Sequence, residues 1–415
     1  MMQDPDIVVA IDVGTSKVCT IVARKEDNRG FRMLSHSVVP SEGIEKGNVT
    51  DVAATCGAIT ASVAEAAKKA GVTVKEAYVG VTGSHISYEN RHDQLRWATK
   101  RGVITTGELA QVPNTVAASS RQDGRRVLHA LPRNYMLDGQ RGIRNPLGMH
   151  TSRLEVESHV ILGANELVDK LTLAVEQAGL NVVSLVLVPI ASAQAVLTEE
   201  EKEQGVALVD LGGGTTDLVV YAQGTVFYNA ALPIGGFQFT NDICVAYSTT
   251  YEAAEEAKLK FGNTEPAAVK AKDELSLPIE GRARHRQIAA REICQLMRER
   301  AQELVRLIRI KLHEAGQKEN PELRLVLTGG ASVLPGLDDM MRKSISRNVR
   351  IGVPNSVPDM PDELRSPKFA TSVGILLWAM KAPGNAQLTV AKNGLQTEAS
   401  PNGGMSKIFK KWLPR

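Results

Sequence analysis

Apolar residues arrive in this chain as short runs that break at glycine. Residues 7–11 read Ile-Val-Val-Ala-Ile and residues 18–22 Val-Cys-Thr-Ile-Val, separated by a turn around Gly14. A second turn at 28–30 leads to a third run, so three strands are predicted over 7–39. The spacing then becomes helical over 50–70, a stretch rich in alanine that opens on Thr50-Asp51 and closes at Gly71, the marks of an N-cap and a left-handed C-cap. A strand at 77–81 completes a βββαβ unit. Residues 205–238 repeat its opening, with apolar runs at 205–209 and 218–221 around another glycine turn. The two halves of the chain start alike.

Between them the pattern changes. Residues 83–160 are more polar and alternate short strands (126–131, 153–162) with one helix (106–120), which predicts an inserted small α+β domain. A helix at 166–179, a strand at 181–187 and a helix at 189–198 lead into the second half. Residues 239–317 read as a helical insert. Within it, 250–262 and the long segment 280–316 carry helical periodicity, with Leu296, Leu304, Leu307 and Ile308 near one face and arginines along the other. Strands return over 318–380 before a last helix at 371–380. Residues 382–404, punctuated by Pro383-Gly384, Asn393-Gly394 and Ser400-Pro-Asn-Gly-Gly404, read as a linker with little to bury. Beyond it Met405, Ile408, Phe409, Trp412 and Leu413 fall at i, i+3, i+4, i+7 and i+8, one apolar stripe flanked by Lys407, Lys410, Lys411 and Arg415 and ended by Pro414. Trp, Phe and Leu opposite lysines predict an amphipathic membrane-targeting helix over 405–415.

Composition narrows the class. A chain of 415 residues predicts two to four domains. Hydrophobic content of 43% and charge of 23% suit a soluble globular protein, and 4% aromatic residues imply aliphatic cores. A net charge of +3 argues against a dedicated nucleic-acid binder. Residues 1–6 are polar, without the apolar stretch of a signal peptide, and no run is long enough to span a membrane. Cys19, Cys56, Cys244 and Cys294 are scattered and read as reduced thiols. His85, His92, His129, His150 and His159 crowd into one segment at irregular spacing, which favours surface or core histidines over a metal site.

The chemistry lies in the two glycine turns. Residues 12–17 read Asp-Val-Gly-Thr-Ser-Lys and residues 210–217 Asp-Leu-Gly-Gly-Gly-Thr-Thr-Asp, each between two apolar strands. Such a turn aims backbone N–H groups at one spot, and glycine lets a phosphate approach the backbone. The aspartate ending the first strand of each pair can hold a hydrated Mg²⁺ at that spot. Two such turns heading two half-chains predict a nucleotide clamped between related domains.

These turns resemble the two phosphate loops of the actin, Hsp70 and sugar-kinase superfamily, and residues 325–337, Leu-Val-Leu-Thr-Gly-Gly-Ala-Ser-Val-Leu-Pro-Gly-Leu, resemble its adenosine loop. Within that superfamily the chain is most similar to the bacterial cell-division family FtsA, over nearly its whole length. The residues that carry this are 41–51 (Ser-Glu-Gly-Ile-Glu-Lys-Gly-Asn-Val-Thr-Asp), 81–85 (Val-Thr-Gly-Ser-His) and 232–243 (Leu-Pro-Ile-Gly-Gly-Phe-Gln-Phe-Thr-Asn-Asp-Ile), with the basic tail after its linker. The resemblance implies an α/β, actin-like (ribonuclease-H-like) two-lobed fold. Its first subdomain would span 1–82, completed by 161–190 and 366–381. The small domain would be inserted at 83–160. A second subdomain would take 191–238 and 318–365, with a helical subdomain at 239–317.

It further implies ATP and Mg²⁺ as cofactors. Asp12 and Asp210 would hold the metal. Gly14, Thr15, Ser16, Gly212, Gly213, Gly214 and Thr215 would donate to the phosphates, with Lys17 adding charge and Asp217 closing the second loop. Gly329, Gly330 and Ser332 would border the adenosine. Glu255 and Lys258 would either reach the ribose or base or form a surface ion pair. The implied partners are the C-terminal tail of FtsZ, docking on 239–317 with Arg282 and Arg300 as contacts, further copies of the chain in a filament, an anionic membrane surface, and later division proteins on 83–160. The implied place is the cytoplasmic face of the cell membrane at the septum. One departure concerns hydrolysis. Where actin and Hsp70 carry Gln or Glu to orient water, this chain has Val188, with Gln194 six residues on, so turnover should be slow. Two rivals remain at this point. A pilus-assembly actin homologue of the PilM kind shares fold and insert but is not expected to end in a linker and amphipathic helix. An Hsp70 would continue into a peptide-binding domain, and a sugar kinase needs an acidic base facing a sugar.

Overall fold

The computed structural model describes residues 4–381 except 27–29, 96–101, 121, 318–319 and 355–356. The linker and the amphipathic helix expected beyond 381 lie outside the described residues. The chain opens with the antiparallel strands β1 (Ile7–Val13), β2 (Lys17–Glu26) and β3 (Gly30–Pro40). Every position of β1 is buried, which is why it reads as an unbroken apolar run. The short clip β4 (Ile44–Glu45) and β5 (Asn48–Val49) leads to α1 (Val52–Ala70). Asp51 caps it by accepting the Ala54 N–H (3.0 Å), and Gly71 ends it at φ 66°. β6 (Glu76–Val81) then lies parallel to β1.

Here the chain leaves the sheet for the insert, made of β7 (Ser87–Leu95), α2 (Thr106–Ser119), β8 (Arg125–Leu137), β9 (Gln140–Ile143) and β10 (Leu154–Ala164), in sheet order β7-β10-β8-β9. It returns through α3 (Asn165–Gln177) to β11 (Asn181–Leu187), which completes the first sheet in the order β11-β6-β1-β2-β3. Helices α4 (Val188–Val196) and α5 (Glu199–Gln204) cross to the second lobe. There β12 (Val206–Leu211), β13 (Thr216–Ala222) and β14 (Thr225–Leu232) precede α6 (Gly236–Tyr247), α7 (Tyr251–Phe261), the hairpin β15 (Glu274–Pro278) and β16 (His285–Ala289), and α8 (Ala290–Glu314). β17 (Arg324–Thr328), α9 (Leu337–Ser344) and β18 (Val349–Ile351) finish a sheet of order β14-β13-β12-β17-β18, and α10 (Ala370–Lys381) follows. Each sheet is three antiparallel strands extended by two parallel ones, so the duplication seen in the turns extends to both lobes.

The hairpin corrects one expectation. Residues 280–289 were predicted to extend the long helix, because arginines continue its polar face. Instead Leu275 pairs with Ile288 across the hairpin, and Leu277 and Ile288 are buried. Gly281 at φ 70° makes the turn, and α8 begins only at Ala290.

The layers run α1 and α3, first sheet, α4 and α10, second sheet, then α6 to α9. One apolar core joins both sheets through the middle pair, with Val8, Ala10 and Ile21 on one side, Leu208 and Val219 on the other, and Ile190, Val373 and Leu376 between. The two helices cross where Gly374 meets the Ala191 carbonyl, and a Cβ on Gly374 would overlap that oxygen. Gly80 leaves similar room for Ile375, 3.0 Å from where its Cβ would stand.

The insert also leans on the second lobe. Tyr88 stacks on His159 and meets Tyr228 edge to face (centroids 4.9 and 5.4 Å). His159 Nε2 hydrogen-bonds Asn229 Oδ1 (2.8 Å), and Asn90 donates to the Phe227 carbonyl (3.1 Å). His129 accepts the Leu187 N–H (3.0 Å). Burial holds both histidines down to about 4, so each is neutral and acts as a fixed polar strut.

Gly374→Ala should destabilise the protein by at least about 1–3 kcal/mol, the usual cost of overpacking, because backbone rather than a movable side chain faces the new methyl. Chemical denaturation of parent and variant checks this. An unchanged midpoint would mean the helices can part without penalty.

Candidate nucleotide-binding cleft

The two glycine turns are copies in geometry as well as in sequence. Gly14 donates its N–H to the Lys17 carbonyl (3.0 Å) and Gly212 to that of Thr215 (2.9 Å). A Cβ on either glycine would stand 3.1 Å from that same carbonyl. The turns face each other across the lobes. Gly213 lies against Ser16 and Gly214 against Thr15, so closely that a Cβ on Gly214 would overlap the Thr15 hydroxyl. The N–H groups of Gly14 and Gly212 therefore close their turns and are not available to a phosphate. Among the described residues, those of Thr15, Ser16, Gly213 and Gly214 make no hydrogen bond within the chain. The Thr215 hydroxyl donates to Asp217 (2.8 Å).

Two carboxylates lie buried beside these turns. Asp12 accepts the Ser372 hydroxyl (2.7 Å), with Lys17 Nζ 3.9 Å away. Asp210 accepts hydroxyls from Ser192 and from Thr371 (3.0 Å). Burial pushes Asp210 up to about 6, the two hydroxyls oppose the shift, and the charge on Asp12 adds to it. Asp217, deeper in the second turn, accepts the Thr82 hydroxyl from the first lobe. Burial pushes it up to about 7 against that hydrogen bond, with the charge on Asp210 adding.

A further cluster sits on α6 and α7. Lys258 Nζ donates to Glu255 (2.7 Å), to the Thr240 hydroxyl (2.8 Å) and to the Gly236 carbonyl (3.3 Å), and Glu255 also accepts the Thr240 hydroxyl. Glu255 and Lys258 are thus an ion pair, and one bound to the second turn, because Gly236 and Phe237 donate their N–H groups to the Gly212 and Gly213 carbonyls (2.9 and 2.7 Å). Across from the turn, Gly329 at φ 84° passes so near Asp210 that a Cβ would overlap its carboxylate. Gly330 follows. Ser332 is buried and donates to the Gly329 carbonyl (2.7 Å), so its hydroxyl shapes the turn.

Several residues of this cleft escaped the sequence reading. Ser192, Thr371 and Ser372 sit in helices, where the apolar pattern identified only core positions, and Thr82 and Thr240 lie inside the 81–85 and 232–243 stretches without any sequence signal of a role in the cleft. Leu259 and Val333, 76% and 59% exposed, directly follow Lys258 and Ser332 and are large apolar side chains left open to solvent. Gly262, at the end of α7, lies against Leu334 and brings these two segments together. Val188 opens α4 half-buried, near Gly80. The candidate partner arginines lie away from the cleft. Arg282 is exposed on the hairpin turn. Arg300 is held by Asp242 in a two-pronged ion pair (2.7 Å each) and by Glu303.

Comparison with known proteins agrees with this architecture. The sequence model of the family described as cell division protein FtsA matches residues 207–374, and that of the SHS2 domain inserted in FtsA matches 83–162. The chain is 31% identical to cell division protein FtsA of Pseudomonas aeruginosa over 412 residues, covering 99% of this chain and 98% of the other. It is 31% identical to FtsA of Neisseria meningitidis serogroup B, with 100% and 99% covered, and 29% identical to that of Escherichia coli K12, with 99% and 98% covered. Among solved structures, a PilM–PilN type IV pilus biogenesis complex superposes with a TM-score of 0.61 at 17% identity, covering 91% of this chain and 99% of that one. MreB5 of Spiroplasma citri bound to ADP superposes at 0.51 with 13% identity, covering 90% and 95%. These likenesses establish the expected actin-like α/β fold with its inserted small domain.

The raised carboxyls fix how stability should vary with pH in the ligand-free protein. A carboxyl whose folded value lies above its unfolded one binds its proton more tightly when folded. Its contribution is therefore complete below about 3.8 and is lost as pH rises through about 7 for Asp217. Asp217→Asn keeps the shape and removes the titration, its amide oxygen accepting one of the two threonine hydroxyls while its NH2 donates to the other. Its stability should fall less between pH 5 and pH 8, as read by thermal unfolding at each pH. Parallel curves for parent and variant would rule out Asp217 as the group.

Proposed function

The chain belongs to the FtsA family of bacterial cell-division proteins, and we propose that within it this protein binds ATP, polymerises on the inner face of the cytoplasmic membrane at the septum, and tethers the FtsZ ring there. The observation that carries the nucleotide reading is the pair of opposed turns with four unengaged N–H groups between two buried carboxylates. The N–H groups of Thr15, Ser16, Gly213 and Gly214 would grip the phosphates from both lobes, with Lys17 supplying positive charge. Asp12 and Asp210 are hard oxygen donors facing a deficit of positive charge, which suits a hydrated Mg²⁺. That ion would neutralise the phosphates and the carboxylates together. Gly329 and Gly330 would border the nucleoside, Glu255 and Lys258 its sugar edge, and Leu259 and Val333 would flank the base. Because both lobes grip one ligand, ATP favours the closed arrangement, and a ligand shifts whichever state it binds better. Val188 cannot polarise water, so the nucleotide acts mainly as a conformational ligand. A pilus role of the PilM kind has only the fold in its favour.

The tether needs two further surfaces. Arg282 and Arg300 would meet the acidic FtsZ tail, with charge-assisted hydrogen bonds sensitive to salt. Residues 405–413 would lie in the membrane interface, weakly as one copy and firmly when a filament presents many. The insert would offer its outer face to later division proteins.

Asp210→Ala should abolish ATP binding in calorimetry, and the parent should turn over more slowly than about 1 per second, below the range of ordinary enzymes. Tight binding by the variant would refute the assigned site. In a flotation assay with anionic vesicles, the parent with ATP should carry FtsZ to the lipid. Trp412→Glu should leave both proteins in solution, whereas Arg300→Glu should float alone. FtsZ that floats equally with either variant would disprove the tether.

A further inference from the structure

The clip β4–β5 reaches in between the two glycine turns. Glu45 pairs with Asn48, which leaves Lys46 and Gly47 as a two-residue tip, both left-handed (φ 48° and 77°), as a tight hairpin requires. The loop that carries the clip is pinned at its base. Ser41 donates its N–H to the Ser16 carbonyl (3.3 Å), and the Gly43 carbonyl accepts the N–H groups of Thr50 and Asp51 at the head of α1 (2.8 and 3.1 Å). A Cβ on Gly43 would overlap the Asp51 carbonyl oxygen.

The tip itself is wedged. Gly47 donates its N–H to the Thr15 hydroxyl (3.4 Å). A Cβ on Gly47 would stand 3.0 Å from the Thr82 methyl, 3.2 Å from the Thr215 methyl and 3.3 Å from Gly83 Cα. One backbone position thus abuts the first turn, the second turn and the stem of the insert. Asn48 Oδ1 lies 3.0 Å from His85 Nδ1, and Arg125 donates to the His85 carbonyl. Burial, with the Arg125 charge adding, holds His85 down to about 4, so this brace is uncharged.

Two groups at the tip are open to an anion. Among the described residues the Thr15 hydroxyl accepts from Gly47 and donates to nothing, so its proton is free. Lys46 carries its ammonium on a flexible four-carbon stem. Its side chain is 49% exposed, and its one ion pair among the described residues is a loose one with the adjacent Glu45 (3.9 Å). The other lysines of the cleft are drawn to carboxylates, Lys17 to Asp12 (3.9 Å) and Lys258 to Glu255 (2.7 Å).

The direction of a bound nucleotide decides what this end meets. The segments that would border the nucleoside touch the second turn at its Gly212 end, Gly236 through the Gly212 carbonyl (2.9 Å) and Gly329 beside Leu211. The clip touches the same turn at Thr215. A nucleotide whose base lies at the first end brings its last phosphate to the second. Resting on the reading of the cleft as a nucleotide site, we propose that the clip tip reads the terminal phosphate: Lys46 binds it, and the cleft therefore holds a nucleoside triphosphate more tightly than the diphosphate.

The test is calorimetry on the full-length protein with Mg²⁺ and either ADP or AMPPNP, a triphosphate analogue that resists hydrolysis. The parent should prefer AMPPNP. Lys46→Ala should weaken AMPPNP about tenfold, in keeping with the loss of one charge-assisted hydrogen bond, while ADP affinity changes by less than about twofold. Lys46→Arg keeps the charge and should restore most of the preference. Lys46→Ala that binds AMPPNP as tightly as the parent, or that loses ADP to the same degree, overturns the proposal and leaves the nucleotide site standing. So does a parent that binds the two ligands equally. A parent that binds neither overturns the nucleotide site and this inference together.

Discussion

Two sheets can share one core only where what lies between them is thin, and in this protein the closest backbone approach between the intervening helices is the crossing of α4 and α10 at Ala191 and Gly374. The cleft depends on the same crossing. α4 supplies Ser192 to Asp210. The first turn of α10 supplies two consecutive hydroxyls, Thr371 to the second lobe's Asp210 and Ser372 to the first lobe's Asp12. Displacing α10 would move hydrogen-bond donors of both carboxylates at once, and displacing α4 would move a donor of Asp210. Packing and site chemistry are therefore one constraint, set by a position where no side chain fits.

The insert is joined to this machinery by more than its covalent stem. Thr82, the last residue before it, donates to Asp217 in the second turn. Farther out, Tyr88, Asn90 and His159 rest on β14. The first lobe thus touches the second at the glycine turns, at the helix pair and through the insert. Because burial keeps His159 neutral, its ring can donate through one nitrogen only, with Asn90 beside Nδ1 and Asn229 beside Nε2, so the outer contact is directional and carries no change of charge across the physiological pH range.

What the sequence made legible follows from how each element is stabilised. β1 and β12 are buried on both faces and announce themselves as apolar runs. The turns carry glycines that only a close backbone approach explains. The helix at 52–70 carries its own caps. The hairpin at 274–289 was not legible, because its strands hold few apolar residues and its arginines continue the rhythm of α8. The hydroxyls around Asp12 and Asp210 were hidden for another reason. Ser and Thr on a buried helix face look like ordinary small core residues, and only the fold reveals which carboxylate they meet. The same holds for Arg300, whose charge was evident and whose engagement with Asp242 was not.

β6 and β17 occupy the same place in their sheets, and at the end of each the chain reads Thr-Gly (Thr82-Gly83 just after β6, Thr328-Gly329 at the close of β17) with the glycine at positive φ, Gly83 at 132° and Gly329 at 84°. After β17 the chain turns back at once beside Asp210, with Thr328 bonded within its own lobe to the Gly352 carbonyl (2.9 Å). After β6 the equivalent threonine reaches across to the opposite lobe, and an entire domain is spliced in behind it. One inherited corner has been put to two uses, a wall of the cleft in one half and a mounting bracket in the other. The two halves are therefore not interchangeable where they face each other: the corner beside Asp210 stays short, whereas the other is tied through Thr82 to Asp217 and fixes the foot of the insert to the opposite lobe.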